Sequence, residues 1–153
     1  MTFNKKEAEE AFENFLMIMD DQVECLKDEA ATYSIFLDDS LSDFEKLEEL
    51  FDLVTKNTDQ GQKNRNIVYF ARHLGEVVRL NFGGRWFIDL DDANNINFNE
   101  PVITDHCPVK GVDFAPISVM RAYSLRKKKG TLRCAAEADI NPEIINLDNL
   151  IED

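Results

Sequence analysis

Asp105-His106-Cys107 sets a carboxylate, an imidazole and a thiol side by side, the residue types of a nucleophilic hydrolase. Their adjacency argues against that chemistry, because catalytic Cys and His normally meet from separate parts of a fold and neighbouring side chains diverge. His73, His106, Cys107 and Cys134 offer the nitrogen and sulfur ligands zinc prefers. Structural zinc usually draws on two closely spaced ligand pairs, and here there is one. Gly83-Gly84 stands in neither a GxGxxG nor a GxxxxGK[ST] pattern and precedes a strand, whereas phosphate loops open a helix. These readings leave no catalytic residue, no metal site and no cofactor, and the expectation is a protein that is not an enzyme.

Charge is more informative. The 153 residues carry a net charge of −13, so a nucleic-acid backbone or an anionic membrane would be repelled and neither is an expected partner. The charge is uneven: residues 1 to 61 hold 5 basic and 17 acidic side chains, whereas 114 to 133 hold 6 basic and none acidic. Glu9, Glu13, Asp20, Asp21, Glu24 and Asp28 fall opposite an apolar helical stripe, which makes them the candidate docking surface for a basic partner protein. Arg121, Arg126 to Lys129 and Arg133 read as a solvated basic patch around a helix end.

The elements that must position these groups follow from periodicity. Asn4 with Glu7 has capping-box spacing, and Ala8, Phe12, Phe15, Met19, Val23 and Leu26 recur at helical intervals, predicting one helix from about 5 to 30. Ser42 with Glu45 opens a second, at about 43 to 56, and Thr58 to Gly61 is turn chemistry ahead of a third, at about 62 to 81. Gly75 inside that third helix implies that another backbone packs close. Gly83-Gly84 then ends the helix, Arg85 to Leu90 alternates as a strand, Ile96 to Phe98 is its antiparallel partner, and Pro101 to Thr104 is a third, edge strand. Pro116 starts a last helix ending near Gly130. The expected fold is α+β: three N-terminal helices on a small antiparallel sheet with a further C-terminal helix, in one domain over residues 1 to 133. Residues 134 to 153 read as an acidic tail with a short helix starting at Asn141-Pro142-Glu143.

With no apolar run of about 18 residues and no apolar segment behind MTFNKKEAEE, the expectation is a soluble cytoplasmic protein. Three cysteines without a CxxC pair fit reduced thiols. Tyr69, His73 and Glu76 share a helix face outside the apolar stripe, where Arg65, Arg72 and Arg79 complete a solvated or interhelical salt-bridge ladder. With Arg85 and Trp86, the first three define an alternative site, a small-ligand or regulatory pocket between the third helix and the Trp86 strand.

His73 to Trp86, reading HLGEVVRLNFGGRW, with the helix-strand-turn-strand order and the later proline-led helix, resembles a loose group of small bacterial proteins carrying an LGE…GG.W signature. Members mostly lack an assigned activity and often sit in polymorphic-toxin or secretion-system neighbourhoods as proposed immunity proteins. The resemblance covers about residues 66 to 128, excludes the acidic helices and carries over no catalytic residue. It implies a cytoplasmic binding protein that neutralises a cognate toxin.

Overall fold

The computed structural model describes residues 3 to 140, so the expected helix at Asn141 and the remaining tail lie outside the described residues. Within them are α1 (Lys5–Met17), α2 (Met19–Thr32), α3 (Asp43–Val54), α4 (Gln60–Phe82), β1 (Arg85–Phe87), β2 (Val102–Thr104), α5 (Pro116–Arg126) and α6 (Thr131–Ile140). The class is α+β, mostly helical. No helix among the described residues is long and apolar enough to cross a membrane.

The expected first helix is two helices. Asn4 caps α1, its side chain accepting from the Glu7 N–H at 3.1 Å, but the helical path breaks at Ile18 (φ −95°, ψ 8°). Arg72 on α4 donates to the Phe15 carbonyl in the last turn of α1, and a side chain inserted into the carbonyl ladder is a known cause of a kink. The break keeps both Phe15 and Met19 buried. The capping box expected at Ser42 is absent, since Ser42 makes no side-chain cap bond.

α4 is the axis of the fold. Asp59 and Gln62 close a reciprocal capping box at its start, and every residue from Phe70 to Val78 is buried. Arg72, His73 and Glu76 therefore lie inside, against the solvated form of the expected solvated or interhelical ladder, of which the Glu76–Arg79 pair at 2.8 Å remains. Periodicity marks one apolar face, but a helix packed against α2, α3, α5 and β2 has no outward side along this stretch.

The sheet is smaller than expected. β1 pairs antiparallel with β2, Trp86 opposite Ile103, and Phe114 adds an isolated bridge to Ile103. Ile96 to Phe98 is not a strand and Ile96 is 95% exposed. Asp89 ends the strand early, accepting the N–H groups of Asp91 (2.9 Å) and Asp92 (3.1 Å) and so turning the chain. Gly84 sits at φ +97°, where a Cβ would lie 2.4 Å from the Thr104 carbonyl oxygen, so only glycine lets the chain leave α4 against β2.

The close approach implied by Gly75 is made by a side chain. A Cβ at Gly75 would lie 2.3 Å from the Trp86 ring, and the ring also meets Phe15 edge-on at a centroid distance of 5.1 Å. α5 ends earlier than predicted, at a left-handed Lys127 (φ 53°), and α6 crosses the expected boundary at residue 133 with Leu132 and Ala136 fully buried.

Gly75→Ala should lower stability by about 1 to 3 kcal/mol through overpacking, outweighing the helix-propensity gain of about 1 kcal/mol. In a Trp86→Ala background the same change should become neutral or favourable. Urea denaturation of the four-member cycle measures the coupling; Gly75→Ala stabilising the parent would refute the assigned contact.

Candidate functional site

The acidic helices and the basic patch at residues 114 to 133 reach opposite fates in the fold. Lys127 and Lys129 close on Asp52 of α3 at 3.2 and 2.7 Å, and the Tyr123 hydroxyl donates to the same carboxylate at 2.9 Å. Arg133 pairs with Glu45 at 2.8 Å and Glu137 at 3.2 Å. Half of the expected basic patch is thus spent inside the fold, clamping α5 and α6 onto α3. Glu48, 2% exposed, completes the clamp. Its carboxylate accepts the N–H groups of Gly130 (2.9 Å) and Leu132 (3.0 Å), capping α6 from another helix.

Glu9, Glu13, Asp20, Asp21, Glu24 and Asp28 are all exposed. None of them is in an ion pair among the described residues, in contrast to Lys27, Lys46, Arg79 and Arg85, which hold Asp39, Asp43, Glu76 and Asp105. The break at Ile18 divides the carboxylates between α1 and α2, and a cleft flanks each part. Glu9 and Glu13 line one of about 320 Å³ with Lys5, Phe12, Phe87, Leu90 and Asp91. Asp20 and Glu24 line another of about 260 Å³ with Lys27, Asp39 and Arg79.

The five residues of the alternative pocket are only partly brought together. Trp86 itself occupies the space between α4 and β1; outside it, Glu76, Arg85 and Trp86 line a cleft of about 310 Å³ with Leu16, Met19 and Asp20. Tyr69 faces a different cleft, of about 590 Å³, lined by Gln22, Cys25, Thr58, Gln62 and Arg65. Burial, with smaller contributions from Glu29, Cys25 and Asp28, pushes its hydroxyl up to about 12, so it is a donor. His73 is fully buried and turns to α3, its Nε2 2.8 Å from Asp43 Oδ2. A residue spacing of four places side chains on one helix face but leaves their partners undetermined.

Asp43, His73 and Asp39 converge with potential ligand atoms within 4.8 Å of one another. The donor set does not suit a metal. Asp43 Oδ2 already accepts from the Asp39 N–H (2.8 Å) and from His73, and its carboxylate also takes the Asp38 N–H. Lys27 neutralises Asp39 at 3.0 Å. A metal-bound imidazole donates through its other nitrogen to an acceptor, and His73 Nδ1 is buried without a partner. The His73–Asp43 hydrogen bond at 2.8 Å instead fastens the 38 to 42 turn to α4.

Asp105, His106 and Cys107 diverge. Asp105 meets Arg85 at 3.3 Å, buried His106 meets Asp139 of α6 at 3.1 Å, and the Cys107 thiol donates to the Val109 carbonyl at 3.5 Å. The imidazole thus fastens α6 instead of activating the thiol. Cys134 is exposed on α6 and Cys25 on α2, so the four residues weighed as a zinc set are not gathered.

Sequence reasoning missed Asp43, Glu48 and Asp52, whose carboxylates look like three more charges of an acidic stretch. Only their depth separates them from Glu9 or Asp21. The resulting class is a mostly helical α+β protein with an uncompensated acidic face over shallow clefts. Compared with protein-family models, curated proteins and solved structures, the chain matches none.

Two substitutions test the buried network. Asp43→Ala should cost about 3 kcal/mol in urea unfolding, because it removes the acceptor of the buried His73 imidazole together with that of the Asp38 and Asp39 N–H groups; a cost within experimental error would refute the junction. Burial alone would raise the Glu76 carboxyl, but hydrogen bonds from Arg79 and Trp86 outweigh it and hold the group below its ordinary 4.5. A carboxyl depressed on folding adds stability above its unfolded pKa and loses it as pH falls through the folded one. Glu76→Gln should therefore be less stable than the parent at pH 7, with the gap closing below about pH 4.5. A gap unchanged down to pH 3 would contradict this.

Proposed function

We propose that this chain is a non-enzymatic cytoplasmic binding protein of the immunity type, which neutralises a basic partner protein by covering it with the acidic surface of α1 and α2. The observation that carries the reading is the contrast in charge use. Lys127, Lys129 and Arg133 are consumed by ion pairs with α3, while Glu9, Glu13, Asp20, Asp21, Glu24 and Asp28 are exposed and, among the described residues, unpaired. Unpaired carboxylates on one face repel one another in the free protein, and a cationic partner relieves that repulsion while accelerating encounter. The resemblance of residues 66 to 128 to immunity-like proteins supports the same role, with α4 and β1 as scaffold and the acidic helices, which lie outside the resemblance, as the partner-reading part. Nucleic acid and anionic membranes are poor partners for the same electrostatic reason.

The test is the association rate with a cationic protein captured by this chain from its own cell, followed against ionic strength. The rate should fall steeply with salt, and a triple charge reversal, Asp20→Lys, Asp21→Lys and Glu24→Lys, should slow it by at least about tenfold with the fold intact. Salt-independent association, or an unchanged rate in that variant, would remove this reading.

A further inference from the structure

We infer that the groove between α1 and the segment from β1 to Leu90 is the anchor site of the partner. It takes an arginine or lysine side chain next to an apolar one, and Lys5 is the chain's own cation standing in that place in the free protein. The inference rests on the acidic-surface reading and narrows it to one position.

The groove, about 320 Å³, combines Phe12, Phe87 and Leu90 with Glu9, Glu13 and Asp91. That volume is at the small end for a ligand site, so it suits one or two side chains. Leu90 is 9% exposed and Phe87 37% exposed, Phe12 is half-buried, and the three carboxylates are exposed. An apolar centre with a polar rim is the anatomy of an interface hot spot. A long basic side chain matches it, laying its methylene stem on apolar surface while its charged head reaches the carboxylates. Phe87 already takes a guanidinium, with Arg85 5.3 Å from its ring centroid.

Lys5 points to the same occupant. Its ammonium meets Asp91 at 2.6 Å across the groove, yet the two side chains are 53% and 81% exposed. A pair so open to water is weak and readily exchanged. Lys5, Glu9 and Glu13 follow at intervals of four along α1, so Lys5 neighbours Glu9, and Glu13 repels Glu9 with no cation within ion-pair distance of either among the described residues. One incoming cation relieves that repulsion, and a second displaces Lys5 from Asp91.

The probe is a capped peptide of alternating arginine and leucine, titrated into the ¹⁵N-labelled full chain and followed by amide shift changes. A peptide with glutamate for arginine is the control. Shifts should concentrate at residues 9 to 13 and 87 to 91. Glu9→Gln with Glu13→Gln should weaken binding roughly tenfold, Asp21→Asn with Asp28→Asn by less than about twofold, and Lys5→Ala should tighten it about two- to fivefold. All five side chains are exposed, so folding is not at stake. Shifts confined to α2, equal losses from both double variants, or weaker binding by Lys5→Ala would overturn the anchor site and leave the acidic-surface reading standing. No shift with the arginine peptide, while the cationic partner protein still binds, would also overturn the anchor alone; failure of both to bind would remove the two together.

Discussion

α4 carries three ionisable side chains into the interior within five residues, and the arrangement of the other elements follows from satisfying them. Arg72 reaches the Phe15 carbonyl of α1, His73 reaches Asp43 at the start of α3, and Glu76 accepts the Trp86 indole N–H of β1 at 2.8 Å while Arg79 closes on it from the next turn. A buried polar group without a partner costs more than its bond returns when made. Each of these contacts therefore determines which element may lie against α4 and in what register, in a way that apolar contact alone does not. Gly75, one residue before Glu76, removes the side chain that would otherwise keep the indole away.

A second set of carboxylates, two buried and one half-buried, does the same for the C-terminal half. Asp43, Glu48 and Asp52 are spread over ten positions of α3 and serve three structures: the turn before the helix, the start of α6 and the lysines after α5. α6 has no acidic residue in its own first turn, and Glu48 of α3 supplies the negative charge its N-terminus lacks. This division of labour explains how a chain of net charge −13 tolerates its own acidity. Part of the excess serves as structural acceptors on α3, and another part stays exposed on α1 and α2. Lys5, Lys27 and Arg79 stand in the clefts beside those exposed carboxylates, but each closes on a different partner, Asp91, Asp39 or Glu76.

Much of the helical content was legible in the sequence because helical periodicity is local. α3 and α4 appear within a few residues of their expected positions, and the glycine pair stands where α4 gives way to β1. The misreadings share one cause. The first helix breaks because of Arg72, 57 positions beyond the carbonyl it reaches. Ile96 to Phe98 lost its strand role because β2, further along the chain, takes that edge of Trp86. α6 begins inside a basic run and is stabilised by a carboxylate 84 positions earlier. None of these partners leaves a trace in a window of ten or fifteen residues.

The sequence by itself determined what depends on composition and short-range order: the acidic N-terminal part and the short basic patch, the helix periods, the glycine reversal and the absence of any local motif for phosphate or zinc. Only the tertiary structure decided which charges are paired within the fold and which stay exposed. A carboxylate on a helix reads the same whether it faces solvent or a helix N-terminus, and the difference is a desolvation energy that exists only once a second element arrives. Glu9 and Glu48 are the same residue type in the sequence; burial against α6 makes Glu48 a cap, while Glu9 stays exposed beside Phe12 and Phe87.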